Sequence, residues 1–241
     1  MTIPDNAKFI VLDTETTGAD LADKVCEIGW IVIDKDFNVL EEHQSLIDPQ
    51  RMISPSASGI HGLTNEDVAH APTIEEYFSV DDPACYGTKV DDPVVIIGHR
   101  ISFDVRYVAP YFNIVQEVCT LRWARKLYPD SGDHKLSTLM YALGLPRPEN
   151  AHRVMSDIYS AYHLAKHICE RTGASLLELT AASADPMLIE IMPFGKHKGS
   201  AFKDVPKSYL RWMQDTMKDL DDDMAHTLAH YLRPRGKPVP A

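Results

Sequence analysis

The stretch FIVLDTETTG, Phe9 to Gly18, decides the architecture. Its four apolar residues, Phe9-Ile10-Val11-Leu12, read as a short buried strand. Asp13 and Glu15 then stand two residues apart at the strand's end. A strand turns residues i and i+2 to one face, so both carboxylates converge on one spot. Like charges that close raise each other's pKa and cost stability unless something positive lies between them. Such pairs are also common on solvated strands, so the company this one keeps decides its meaning.

Working outward, VCEIGWIVID (Val25–Asp34) and NVLEEHQSLID (Asn38–Asp48) predict two more strands, joined near KDFN, and hence an antiparallel meander. TNEDVAHAP opens on Thr64 with acids at its third and fourth positions, a helix start closed by Pro72. PVVIIGH (Pro93–His99) is apolar and β-branched, as a central strand is. Helices are predicted over Phe103–Tyr111, Thr120–Tyr128, Leu136–Leu143 and Asp157–Arg171, the last ending before Gly173. Residues 79–93 read as an exposed loop. Strands first, then strand and helices, imply a mixed α/β sheet.

Two further acids stand out. Asp104, in GHRISFD, follows the second apolar strand near a helix start. Asp157 lies in AHRVMSDIYSAYHLAKHICERTG, and Ala161, Leu164 and Ile168 share its helix face. A carboxylate at an apolar stripe needs a partner, because burying an unpaired charge is prohibitive. His152 lies five residues earlier, about 140° round a helix, and so belongs to the helix start or the loop before it. Ordinary readings exist for each alone. Asp104 suits a helix N-terminus, Asp157 suits a salt bridge to Arg153, and His99 suits a satisfied histidine at a strand end. Together the acids form a harder pattern to set aside.

That pattern resembles the DEDD superfamily of 3′→5′ exonucleases, in its histidine-containing (DEDDh) branch. The three motifs appear in order as LDTETTG (Leu12–Gly18), GHRISFD (Gly98–Asp104) and HRVMSD (His152–Asp157). The resemblance implies an RNase H-like fold and two divalent ions, Mg²⁺ or Mn²⁺, which favour carboxylate oxygens. It also implies that Asp13, Glu15 and Asp157 ligate metal, that Asp104 holds the second ion or its waters, and that His152 is the general base. Thr14, Thr16, His99, Arg100 and Phe103 fall within the matched motifs on the substrate side. ISPSASGIHGLTNEDV matches another recurring stretch, in which His61 approaches the terminal nucleotide. Arg100 departs from the motif, which often carries asparagine there. The implied reaction is hydrolysis of terminal phosphodiesters of DNA with a free 3′ end, releasing nucleoside 5′-monophosphates. An RNA 3′-exonuclease, or a polymerase-associated or nucleic-acid-binding subunit, is the alternative.

A narrower resemblance, to exonuclease X-type enzymes, rests on VCTLRWARKLYP (Val118–Pro129) and MPFGKHKGSAFKDVPKSYLRWM (Met192–Met213). Lys196 and Lys198 there suit a phosphate backbone. Phe194, Tyr209 and Trp212 read either as the small unit's core, the first reading for Trp212, or as a stacking surface. The expected organisation is an exonuclease domain over residues 1–175, a linker region over 176–190 containing a short helix, a C-terminal module over 191–233 and a disordered tail over 234–241.

Charge supports the division. Residues 1–192 carry 15 Lys and Arg against 29 Asp and Glu, whereas residues 193–241 carry 9 against 6. The acidic part suits cations and the basic part suits phosphate. No apolar run approaches the roughly 18–20 residues that span a bilayer, so no membrane contact is expected. MTIPDNAK lacks the pattern of a secretory signal. Cys26, Cys85, Cys119 and Cys169 are scattered without a CxxC pair, which suits small buried residues in a reducing cytoplasm.

Overall fold

The computed structural model describes residues 3–20, 22–79, 92–131, 133–146, 153–217 and 220–233. The loop expected over 79–93 lies mostly outside these residues, as do Cys85, His152 and the tail. The chain forms two compact units, one of Met1–Thr120 with Lys135–Ala184, the other of Leu121–His134 with Asp185–Ala241.

The first unit is built on five strands, β1 (Lys8–Thr16), β2 (Val25–Ile33), β3 (Val39–Leu46), β4 (Pro93–Gly98) and β5 (Asn113–Cys119), in the order β3-β2-β1-β4-β5. β1 to β3 form the antiparallel meander. β4 joins β1 in parallel and β5 joins β4 in parallel. A mixed sheet flanked by helices is what the order of predicted strands and helices implied. β1 is central, and its apolar run Phe9–Leu12 is buried beside the equally buried Val94–Ile97 of β4. A parallel pair covered on both faces reads as unbroken apolar sequence for this reason. The KDFN turn is closed by Asp34, whose Oδ1 accepts from the backbone of Asp36 and Asn38, each at 2.9 Å.

The helices of this unit are α1 (Pro55–His61), α2 (Asn65–Val68), α3 (Ile74–Ser79), α4 (Ser102–Val108), α6 (Leu136–Ala142), α7 (Val154–Thr172) and α8 (Leu176–Ala182), with α5 (Thr120–Leu127) beginning at its boundary. α2 starts at the expected Thr64 cap, where Asp67 Oδ2 accepts from Thr64 N at 2.7 Å, but it ends at Val68, short of Pro72. α7 begins earlier than expected and stops at Gly173, whose φ of 70° makes a left-handed cap. Residues 176–182, expected within a linker, form the helix α8. It starts on a Ser175–Glu178 capping box and belongs to the first unit.

α7 lies across β1 and β2, and Gly29 lets it approach. A Cβ at Gly29 would stand 2.9 Å from Val154 Cγ2 and 3.1 Å from Ile158 Cδ1. Gly29 is also the register partner of Asp13. A missing side chain on β2 thus brings the first turn of α7 down beside the acidic end of β1.

The second unit holds α9 (Lys207–Thr216), α10 (Asp222–Leu232) and most of α5. Its core is Ile189, Met192, Phe202, Val205, Leu210, Met213, Met224 and Leu228. Arg122 clamps it with two 2.7 Å bonds to the buried Asp223 carboxylate, which also accepts from Met187 N at 2.7 Å.

Candidate active site

Asp13 and Glu15 come from the end of β1 and Asp157 from the first turn of α7. Each offers a carboxylate oxygen, and these lie within 4.8 Å of one another. All three are partly buried. Burial raises the Asp13 carboxyl well above the usual carboxylate range, with Asp104, Asp157, Glu15 and Glu27 adding negative charge in that order. Glu15 is pushed up to about 8, first by burial and then by Asp157, Glu27 and Asp104. Three oxygen donors that repel one another in a partly desolvated recess suit a hard divalent cation. The site therefore fits a divalent metal.

Asp104 lies outside this trio. It is buried in the first turn of α4, and its Oδ1 accepts from Thr14 N at 3.0 Å and Thr14 Oγ1 at 2.6 Å. Burial raises its pKa and the Thr14 bonds oppose that rise. Thr14, expected on the substrate side, here holds Asp104. Thr16 likewise turns inward, donating its hydroxyl to Gly18 O at 2.6 Å.

Arg153 does not pair with Asp157, as one ordinary reading had it. Its guanidinium grips Glu27 of β2, with Nη2 at 2.6 Å from Oε1 and Nε at 3.0 Å from Oε2. Gln44 Nε2 adds a 2.8 Å bond to Glu27 Oε1. Glu27 is fully buried, so this clamp keeps its charge matched, and it fixes the residue at which α7 begins. Arg153→Ala strands a buried carboxylate and is expected to cost about 3 kcal/mol, read by urea denaturation. Glu27→Gln should cost less, because Arg153 is partly exposed and can turn to water.

His61 sits in the interior, 4% exposed. Its Nδ1 accepts from Leu63 N at 3.0 Å, so Nε2 carries the proton and faces Thr16 O at 3.3 Å. Burial lowers its pKa, keeping it a neutral donor that ties α1 to β1. His99 Nδ1 is 3.0 Å from Thr120 Oγ1. Arg100 is exposed at a φ of 67°, with its guanidinium carbon 5.9 Å from the Phe103 ring centroid. Arg106 lies closer over that ring, at 4.0 Å. A left-handed φ tolerates asparagine and glycine better than arginine, which gives a physical basis for the asparagine often found in the motif. Arg100→Asn is accordingly expected to raise the melting temperature by about 2–4 °C, a gain of about 1 kcal/mol. Lys196 and Lys198 belong to the second unit, where both are exposed.

Two contributions escaped the sequence. Glu27 and Arg153 are 126 positions apart, and Thr14 and Asp104 are 90 apart, so neither pairing leaves a local signal.

A family model described as Exonuclease matches residues 10–165, which spans β1 through most of α7. The chain belongs to the exonuclease family. The trio and Asp104 all fall within the matched exonuclease region. A smaller model, named for a quorum-sensing-regulated virulence factor, matches residues 185–217. Exodeoxyribonuclease 10 of Escherichia coli K12 is 29% identical over 228 residues, covering 92% of this chain and 97% of that protein. A PolC-type DNA polymerase III of Thermotoga petrophila is 32% identical over 164 residues, covering 64% of this chain and 11% of that one. The structure of exonuclease X in complex with 5′ overhanging duplex DNA superposes with a TM-score of 0.56 at 27% identity, covering 73% of this chain and 99% of that chain. The mixed sheet of this exonuclease is thus the RNase H-like one.

Proposed function

We propose that the chain is a metal-dependent 3′→5′ exodeoxyribonuclease of the DEDDh type, releasing nucleoside 5′-monophosphates from DNA. The observation that carries this reading is the convergence of Asp13, Glu15 and Asp157 within 4.8 Å at the end of the central strand. Similarity to an exodeoxyribonuclease over 92% of the chain supports DNA as the substrate.

Asp13, Glu15 and Asp157 would hold divalent ions, Mg²⁺ or Mn²⁺ and two per site, with Asp104 assisting the second. Bound there, such ions supply charge stabilisation to the scissile phosphate and acidify water. Thr14 holds Asp104 in place, while the Glu27–Arg153 clamp fixes the residue that caps α7. His152 is the general base that takes the proton of the attacking water, for which an imidazole with reference pKa of about 6.5 is suited. The acids and His152 form the catalytic machinery and the second unit is accessory. No helix among the described residues is long and apolar enough to cross a membrane. Cys26, Cys119 and Cys169 are free and buried, which supports a cytoplasmic setting.

The test is product identification by chromatography after digestion of DNA and RNA of one sequence. Nucleoside 5′-monophosphates released faster from DNA support the reading. Faster release from RNA turns it to an RNA exonuclease, and 3′-monophosphates contradict the chemistry.

A further inference from the structure

In the second unit Trp212 lies outside the core cluster, beside two half-buried rings, Tyr209 and His197. Leu210 and Met213 of α9 fill the interior, while Trp212 on the same helix is 52% exposed. This corrects the expectation that Trp212 is a core residue. Its ring lies 5.3 Å from Tyr209, tilted by 34°, and the His197 ring meets Tyr209 edge-on at 4.6 Å. Phe194, the other candidate, packs against the core, as does the half-buried Tyr209, so Trp212 is the exposed ring of the group.

The turn carrying His197 is anchored to this face. Lys196 N donates to Tyr209 Oη at 3.3 Å. Gly195 has a φ of 74°, and a Cβ there would stand 2.6 Å from that oxygen, so only glycine lets the turn close on the ring. Lys196 and Lys198, both exposed, flank His197 in this turn. With Lys203, Lys207 and Arg211 they give five exposed cations, none in an ion pair among the described residues. Asp204 and Asp215 are the acids in the same stretch.

We propose that Trp212, Tyr209 and His197 form a stacking platform for the unpaired bases of a nucleic-acid strand, with Lys196 and Lys198 contacting its phosphates. The inference rests on the nucleic-acid reading of the first unit and adds a second contact to it. An exposed indole set on two half-buried rings and bordered by cations suits sequence-tolerant binding of single strands, because every base has a π-face and every nucleotide a phosphate. The surplus of positive charge in an otherwise acidic chain favours this polyanion over an apolar protein partner.

The test uses the full chain in EDTA, which stops hydrolysis, with a thirty-nucleotide oligothymidylate as probe. Trp30 and Trp123 are buried, at 0% and 6% exposure. Quenching of tryptophan fluorescence by the probe therefore reports Trp212. Quenching is expected in wild type, and affinity, read in every protein by the anisotropy of a fluorescein label on the probe, should fall about tenfold in Trp212→Ala and stay within about threefold of wild type in Trp212→Phe. Lys196→Glu with Lys198→Glu should lower the salt dependence of binding by about one to two phosphate contacts. Unquenched wild type, with Trp212→Ala binding within about twofold of it, overturns the platform. Because no hydrolysis is read, this failure is separate from failure of the exonuclease assignment, which the Mg²⁺ digestion reports.

Discussion

Asp157→Ala and Asp13→Ala are each expected to reduce hydrolysis below about a thousandth of wild type while leaving metal-free stability unchanged or higher. The two halves come from one cause. Folding buries Asp13 and Glu15 and brings Asp157 close to both, so burial first and then neighbouring acids, Asp157 among them, raise the pKa of Asp13 and Glu15, and the metal-free fold carries the repulsion. Removing one acid relieves it. The pH dependence has a definite sign. Glu15 in the folded chain titrates at about 8 against an ordinary 4.5. Between those values the folded state holds a proton the unfolded chain has released, so stability falls as pH rises through the window. Below pH 4.5 the penalty is absent, and above about 8 it is complete. Thermal melts from pH 5 to 9 in EDTA should show a steeper decline between pH 5 and 8 for wild type than for Asp157→Ala. Mg²⁺ should offset the decline in wild type, with a larger rise in melting temperature at pH 8 than at pH 6. A large loss of apo stability in Asp157→Ala would instead make that side chain a structural partner.

His152→Ala is expected to slow hydrolysis about 10²- to 10⁴-fold while keeping the Mg²⁺-induced rise in melting temperature. A general base removes a proton without holding the metal, so chemistry suffers and ion binding does not. The pH–rate profile separates this role from a merely structural one. Wild-type rate should climb with pH as the imidazole loses its proton, and the variant should lack that limb. Loss of the Mg²⁺ stabilisation together with the rate would assign His152 to the metal site.

Much of this was legible because it is written in local pattern. Phe9–Leu12 announces a buried strand, and the alternation of a strand alone puts Asp13 and Glu15 on one face. Ala161, Leu164 and Ile168 are buried as their spacing required, which carries Asp157 to the sheet. β5 was not foreseen. Gln116 and Glu117 interrupt its apolar run, and at the end of the strand order, beside β4, it needs fewer apolar positions. Gly29 looked unremarkable because its meaning lies in a helix that returns more than a hundred residues later. Trp212 was misread for a related reason. Leu210 and Met213, its neighbours on α9, already fill the small core, and hydrophobicity does not say which residue wins that space.

The most direct measurement is a gel time course on 5′-labelled DNA in Mg²⁺, with wild type and Asp13→Ala purified identically and run side by side. The account predicts a ladder shortening from the 3′ end for wild type, abolished by EDTA, and intact DNA with the variant. Equal cleavage by both proteins, or none by wild type in Mg²⁺ or Mn²⁺, would contradict it.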